Sequence, residues 1–588
     1  MAIARAQNVI NGVKDHLSTP TIDDSKHNVP LEVPVLIIGG GPTGLLQAYL
    51  LAQLQIKCLI IERYPERLGA PKAHALSPRT LEICRQFRLD VKKIRQLGTK
   101  RADAFWVNFL TNLSGKSVGV LPYERMDVDV LQHTPEMIHN IPQPTFEQFL
   151  TDVISKETNV DLRKGVSFVS LEQIDGVVVT TVEERATGHH FQIKSKFVVG
   201  CDGARSKVRA FLGIESDGED SYETMMTIHF NANLRPIVGE RVGMLHWIMD
   251  PEASGFIIAY DLSGDSVLIS NFDAQKYPVD SWNQDLCRKV VTSALGVDTT
   301  FQIHSYRPWL LSRRVAKSYR CGNVFLAGDA AHSFPPTGGL GLNSGLGDVH
   351  NLAYKLAMVL KGEAADGLLD SYEAERRQVA IVNSIQSVKN GKQIFQLLKT
   401  LGIGDDATQA RKNLYASLQD PDKKRLIDEG VEGQREHFDN LELHIGYVYG
   451  TEKIPPHASL YEPKFEVGAR LPHTWITLQQ TRLQPVDVSY VTEISTEAAQ
   501  RCTYSTLDLC EPGSFSIIGE LEVPSVKTSR LGRDFSVVGP EGDWWLERTG
   551  LFNGGGVLVR PDQHILMLLT ADTTAEDVQR VINRHLGI

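Results

Sequence analysis

Three glycine-rich stretches, each following a short apolar run, are where residue types and spacing in this chain can do chemistry. The first is Gly39-Gly40-Gly41-Pro42-Thr43-Gly44, preceded by Val35-Leu36-Ile37-Ile38 and followed by Leu45, Tyr49 and Ala52 at helical spacing. A strand that turns through glycines into a helix brings bare backbone N–H groups and a positive dipole end to one point. That point suits a pyrophosphate, with Gly39, Gly41, Pro42, Thr43 and Gly44 around it. A second apolar run, Cys58-Leu59-Ile60-Ile61, closes a βαβ unit and ends in Glu62, 18 residues beyond Gly44. A carboxylate there accepts hydrogen bonds from ribose hydroxyls and repels a 2′-phosphate, which favours the adenosine of FAD or NAD over that of NADP.

The other two stretches decide which dinucleotide is expected. One runs from Val198 through Asp202-Gly203 to Arg209; the other runs from Val324 through Gly328-Asp329-Ala330-Ala331-His332, Pro335-Pro336 and Gly341-Leu342-Asn343. In each, a buried strand enters a Gly/Asp turn. Asp329 can bind a ribityl hydroxyl, and the backbone at Gly341, Leu342 and Asn343 opens a helix whose N–H groups can face a flavin carbonyl. Three separate turns suit one extended ligand such as FAD, whereas one NAD needs fewer.

These stretches, with Asp348, Asn351-Leu352 and Tyr372-Glu373-Ala374-Glu375-Arg376, jointly resemble the flavoprotein aromatic hydroxylases, single-component monooxygenases with the p-hydroxybenzoate hydroxylase fold. The segment from Pro71 to Glu82 is similar to the phenol and 2,4-dichlorophenol hydroxylase branch. His437-Phe438-Asp439, Gly446-Tyr447-Val448-Tyr449 and Gly468-Ala469-Arg470-Leu471-Pro472-His473 extend the resemblance from about Val33 to the end of the chain. It implies an α/β protein: a Rossmann-type FAD domain interleaved with an antiparallel-sheet substrate domain, plus a C-terminal thioredoxin-like domain. The implied reaction uses NAD(P)H as cosubstrate and O2 to hydroxylate a phenolic ring through a flavin C4a-hydroperoxide, with or without oxidative decarboxylation. Arg63, Lys72 and Gln143 join the FAD contacts on the same basis.

A phenol attacks best as phenolate, so a base near its hydroxyl is expected, and His74 is the first candidate, with a near-neutral pKa. Some relatives carry Asp at that position; the bland alternative is a histidine satisfied by backbone groups. Pro335 and Pro336 form either a rigid wall near the flavin C4a or a plain turn. His246, Trp247, Asn271, Phe272 and Trp309 are candidates for an aromatic substrate pocket, each equally at home in a core or interface. Arg313 and Arg314 read as surface charge, and His332 as a structural hydrogen-bonding residue.

Positioning these residues takes several kinds of element. Residues 160–200 read as a strand meander, the substrate sheet is expected at about 210–310, and the period turns helical from Asn343 to about Gln396. The expected domains are an N-terminal arm at 1–32, the interleaved FAD and substrate domains at 33–400, a helical connection at 401–461 and the thioredoxin-like tail at 462–588. In the tail, a hairpin from Val557 to Met567 turns at Pro561-Asp562, and Thr573 with Glu576 reads as a capping box. Neither Cys502 nor Cys510 forms CxxC, so a structural or dimer-supporting role is expected there.

Composition narrows the class further. The 588 residues carry 61 basic and 71 acidic side chains, a net charge of −10, which argues against nucleic acid as a partner. Seven scattered cysteines give neither a disulfide framework nor a metal-ligand spacing. No apolar run is long enough for a membrane span, and the N-terminus lacks a secretory signature, so a cytoplasmic homodimer acting on a small phenol is expected. A halogenase or Baeyer–Villiger oxygenase is disfavoured, because neither WxWxIP nor FxGxxxHxxxW occurs. A catalytically silent flavin-binding interaction protein is the alternative from another class.

Overall fold

A computed structural model describes residues 31–588 apart from 67, 68, 70, 71, 124, 219, 273–276 and 405. The arm expected at 1–32 falls almost entirely outside the described residues, and the first strand, Leu31–Ile38, begins two residues before Val33. The flavin-side sheet runs in the order 320–321, 324–326, 189–200, 31–38, 58–62 and 160–164. Its central strands are parallel and buried on both faces, and this is why they read as unbroken apolar runs rather than alternating ones. Strands 166–174 and 177–184 complete the meander expected over 160–200, but its last strand, His189–Gly200, is also the central strand of this sheet.

The substrate-side sheet has the order 302–312, 220–231, 265–271, 255–259, 245–248, 106–110 and 117–122. Two of its strands thus come from outside the expected 210–310 segment. Side chains alternate between its two faces. Leu245, Trp247, Ile258, Val267 and Ile269 face the helix Asp370–Thr400 and the segment carrying Tyr123. Ile228, Ile248, Ile257 and Leu268 face the opposite way, onto the helix Gln284–Leu295.

The tail has its own four-stranded sheet in the order 527–529, 516–519, 556–559 and 565–569, the first pair parallel and the rest antiparallel. This is the strand arrangement of a thioredoxin-like sheet, with loop 520–526 in place of the helix joining its first two strands. The last helix, Ala575–Leu586, is capped by Thr574 with Asp577, one residue after the Thr573/Glu576 box expected from sequence. The tail does not stand apart. Phe515, Ile517, Leu558, Val578 and Ile582 belong to the core of the flavin-side sheet.

The hairpin turn at 560–564 is buried in the rest of the molecule. Arg79 donates to the Gln563 side chain and to the Asp562 carbonyl, both at 2.7 Å, and Arg470 grips Glu82 at 2.6 and 2.9 Å. Arg560 pairs with Glu375 and Asp562, and Lys355 with Glu375 at 2.7 Å. Breaking one buried pair costs about 3–5 kcal/mol because its partner is left charged and unpaired. Deleting residues 462–588 removes Arg470, Arg560 and Asp562 together, leaves Glu82 to Arg79 alone and Glu375 to Lys355 alone, and bares the core surface that Phe515, Ile517, Leu558, Val578 and Ile582 cover. The truncated protein is therefore expected to lose its cooperative thermal transition. A folded truncation that binds flavin but lacks only oxygenation contradicts this.

Candidate functional site: a flavin cleft beside a half-buried histidine

The three turns found in the sequence leave the flavin-side sheet next to one another. Ile38 stands opposite Gly200, and Gly200 opposite Leu326, so Gly39, Cys201-Asp202 and Ala327-Gly328 all begin just past one row of paired residues. Gly39 adopts φ +113°, and an added side chain would strike the Cys201 carbonyl; at Gly44 it would strike the Gly39 carbonyl. At Gly41 it would meet nothing within 4 Å. The first and last glycines close the turn, and the middle one leaves open the backbone that a pyrophosphate approaches. Pro42 begins the helix Pro42–Gln53, where a missing N–H costs nothing. Thr43 fills the gap between Gly328 and Gly345, its Oγ1 2.6 and 2.7 Å from the positions of their absent Cβ atoms.

Glu62 ends its strand with two hydrogen bonds already in place, from the N–H of Gly40 at 2.8 Å and of Tyr64 at 2.9 Å. These orient the carboxylate and leave lone pairs for ribose hydroxyls. Arg63 is exposed, its guanidinium 4.9 Å from the Tyr64 ring centre. Asp202 caps the following helix by accepting from the N–H groups of Lys207 and Val208, while its Oδ1 is buried without a partner. Gly203 has φ +85° and open space where a side chain would be. Asp329 is deep in the protein yet open to the cleft; burial raises its pKa, with His332 and Lys72 opposing the rise.

The helix Leu340–Leu360 starts after Gly339, at φ +63°, with no side chain capping its first N–H groups. Those of the Gly341, Leu342 and Asn343 turn are thus free of a side-chain competitor. The Asn343 side chain itself is spent on protein. It accepts from the Ser77 N–H and the Thr80 hydroxyl, both at 2.8 Å, and donates to the carbonyls of Ala75 at 3.0 Å and Gly339 at 2.9 Å. Gln143 is similarly occupied: its side chain accepts from the Ala73 N–H and donates to Glu147. Both residues brace the segment 73–77 around His74. Lys72, two residues before His74, is exposed.

His74 lies among aromatics. Its Nε2 is 3.1 Å from the Tyr123 hydroxyl, and its ring centre is 6.1 Å from that of Tyr260, whose buried hydroxyl has no partner. Burial pushes the imidazole pKa down to about 4, which corrects the near-neutral expectation. Pro335 is buried and Pro336 exposed. Of the substrate candidates, Trp247, Asn271 and Trp309 share the sheet face of Ile269 and Met225. His246 and Phe272 do not. His246 pairs across the strands with Ile257 on the back face, and Phe272 packs on Trp282 there at 4.9 Å. Adjacent strand residues point to opposite faces, so one of each neighbouring pair had to turn away.

His332 is structural. Its Nε2 lies 2.7 Å from Asp348, which also binds Arg376 at 2.9 Å and the Gly328 N–H at 3.1 Å. Burial alone would raise the Asp348 pKa, but His332 and Arg376 hold it below the usual carboxylate range. Arg209 joins two of the turns by donating to the carbonyls of Ala330 and Ala204. Arg313 donates to Ser384, and Arg314 is exposed. Sequence spacing does not point to Tyr123, Tyr260 or Arg209 as site residues. Arg209 lies in the 198–209 stretch, whereas nothing in spacing ties either tyrosine to His74.

Among the described residues no cluster of His, Cys, Asp and Glu suits a metal ion, and no helix is long and apolar enough to cross a membrane. The open cradle at Gly41, the unpartnered Asp202 Oδ1 and the uncapped helix terminus fit one extended flavin dinucleotide.

Comparison with known proteins agrees with that fit. Residues 32–384 match the family described as FAD binding domain, and the chain belongs to this family; its cofactor is FAD. It is 28% identical over 556 residues to tetracenomycin A2 monooxygenase-dioxygenase of Streptomyces glaucescens, covering 90% of this chain and 92% of that one. It is 27% identical over 607 residues to 2,4-dichlorophenol 6-monooxygenase of Delftia acidovorans, covering 95% and 99%. The flavin-dependent monooxygenase PieE, solved with FAD and substrate, superposes with a TM-score of 0.83 at 26% identity, covering 95% of this chain and all of that one.

Replacing Glu62 by alanine is expected to weaken FAD binding by about 1–3 kcal/mol, the scale of lost charge-assisted hydrogen bonds. Flavin release on dilution, followed by fluorescence, measures it. Wild-type retention would contradict the ribose assignment.

Proposed function

We propose that the chain is an FAD-dependent monooxygenase that uses NAD(P)H and O2 to hydroxylate a phenolic ring. The observation that carries this reading is the alignment of three glycine turns on adjacent parallel strands, next to a half-buried histidine braced by the flavin helix through Asn343. Bound FAD supplies the redox chemistry that activates O2 at the expense of NAD(P)H. One oxygen atom enters the ring and the other leaves as water.

The remaining work belongs to the protein. Gly39, Gly41 and Gly44 hold the pyrophosphate, while Glu62 orients the adenosine ribose. Asp202 and Asp329 meet the ribityl side, and the N–H groups at 341–343 stabilise negative charge on the ring system. His74 accepts a hydrogen bond from the substrate hydroxyl and draws its proton away as the ring attacks, with Tyr123 fixing the imidazole through the 3.1 Å contact. Pro335 and the apolar sheet face keep water out. The tail acts as a structural brace, and a homodimer in the cytoplasm is the expected working form. The support for substrate class is shared by the tetracenomycin and dichlorophenol oxygenases, whose names describe oxygenation of aromatic compounds.

The test is a screen of phenols and hydroxybenzoates that records NAD(P)H consumption, product and peroxide together. Substrate-stimulated oxidation with a hydroxylated product is the expected result. Failure across the screen would favour the catalytically silent flavin protein. Carbon dioxide release from the hydroxybenzoates would show whether decarboxylation accompanies hydroxylation.

A further inference from the structure

The helix that follows His74 is held by the tail along one face. It spans Pro78–Gln86, and its N-cap, Ser77, lies three residues beyond His74. Arg79, Glu82 and Gln86 stand at i, i+3 and i+7, the spacing of a single helix face. On a surface helix such a stripe is solvated, yet here the three residues are only 4%, 2% and 7% exposed. The C-terminal tail supplies their partners.

Arg79 donates to the Gln563 side chain and the Asp562 carbonyl, and Glu82 accepts both bonds of the Arg470 fork. The Gln86 amide donates to the Pro561 carbonyl at 2.9 Å. Arg85, beside the stripe, donates twice to Asp508, at 2.9 and 3.0 Å. Arg470 also donates to the His133 carbonyl at 3.2 Å, and the Thr134 hydroxyl donates to Glu82 at 2.6 Å. The tail thus grips the chain shortly before the strand His139–Asn140 as well, and that strand pairs with Ala75–Leu76.

Such a set does more than glue two surfaces together. Apolar surfaces can shift over each other at little cost, whereas a two-bond guanidinium–carboxylate fork fixes both distance and direction. Buried ion pairs add little net stability over an apolar alternative, and holding one arrangement is the use best attested for them. The arrangement held here ends at the site. Ser77 and Thr80, in the first turn of the helix, donate to Asn343 at the start of the helix Leu340–Leu360. His74 lies just before that turn, its carbonyl accepting from the Ile141 N–H at 2.7 Å. A reacting group displaced by about 1 Å can lose about 10²-fold in rate.

We propose, resting on the hydroxylase reading above, that Arg470, Asp508 and Gln563 of the tail are positioning residues for oxygen transfer. They act through the helix Pro78–Gln86, holding His74 in one place relative to the flavin helix, and their effect is on the geometry of the proton acceptor rather than on substrate or FAD.

Three tail variants of the FAD-loaded enzyme test this. Arg470→Lys keeps the charge and loses the fork, and Asp508→Asn removes the charge that Arg85 meets. Gln563→Asn tolerates the φ of +63° at that position but falls short of Arg79. Thr574→Ala, which removes the cap of the last helix, is the control for a tail that is merely weakened. Amide hydrogen exchange is followed by mass spectrometry over a peptide spanning 73–82, and product formed per NAD(P)H consumed is measured with the most stimulating phenol. Each of the three variants is expected to exchange about 10-fold faster over that peptide. Each should also lose about 3- to 10-fold in coupling, with FAD content and the rate of NAD(P)H oxidation unchanged. Thr574→Ala should match the wild type in both readings. If a thermal melt shows Arg470→Lys to be unfolded, the other two variants carry the comparison. Unchanged exchange in the three variants, equal loosening in Thr574→Ala, or faster exchange with wild-type coupling would each overturn the proposal. A wild-type enzyme that hydroxylates no phenol sinks the hydroxylase reading instead, and the exchange data still decide whether the tail holds the segment around His74.

Discussion

Replacing His74 by alanine should leave FAD bound and NAD(P)H still oxidised, while product formation falls by about 10²-fold and peroxide takes its place. General bases contribute about 10²–10⁴-fold, and the low end is expected here because burial makes this imidazole a weak base. Its pKa of about 4 also fixes the pH dependence. Between about pH 6 and pH 9 the ring stays neutral, so the ratio of product to NAD(P)H consumed should show no histidine inflection there. His74→Asp is expected to retain part of the coupling, since a carboxylate can also accept the phenol proton. Unchanged coupling in the alanine variant would return His74 to a structural role, held by Tyr123 and by its backbone contact with Ile141.

The second large effect is acid lability. Five buried histidines have pKa values pushed down by burial: His246 to about 4, and His139, His437, His444 and His473 to about 3. The unfolded chain binds those protons near pH 6.5, while the folded chain refuses them until the pH is far lower. Between these limits the unfolded state holds more protons, so stability rises with pH and is lost as the pH falls. Each such histidine contributes about 1.4 kcal/mol per pH unit inside the window. Five acting together amount to about 14 kcal/mol within about two units below pH 6.5, comparable with a typical stability of about 5–15 kcal/mol. Thermal melts from pH 7.5 to pH 4.5 should therefore show a steep fall in Tm beginning near pH 6. A flat Tm down to about pH 5 would mean that these rings ionise in the folded protein.

The flavin cleft was legible in sequence because its requirements fall on the backbone. Gly39 must have positive φ, Gly41 must leave space, and both demands are met by residue type alone. Glu62 was legible because a strand end fixes its place. The substrate face was only half legible. His246 with Trp247, and Asn271 with Phe272, are neighbours on strands, so alternation already forbade both members of a pair from facing one pocket. Which member faces inward depends on register, and register appears only when the strands pair. Tyr123 and Tyr260 reach His74 from 49 and 186 positions away, and no local period encodes such contacts. The hairpin that Pro561-Asp562 predicts within the tail is present. That Arg560 and Asp562 are buried in an ion network was invisible, because turn residues of that type are usually solvated.

The central claim is that one oxygen atom of O2 enters a phenolic ring at this cleft. Turnover of the purified, FAD-loaded protein under ¹⁸O2, with NAD(P)H and the phenol that most stimulates its oxidation, tests this most directly. The account predicts a product carrying one ¹⁸O atom in the new hydroxyl, with one NAD(P)H consumed per product. An unlabelled hydroxyl, or NAD(P)H consumption that yields only labelled hydrogen peroxide, would contradict it.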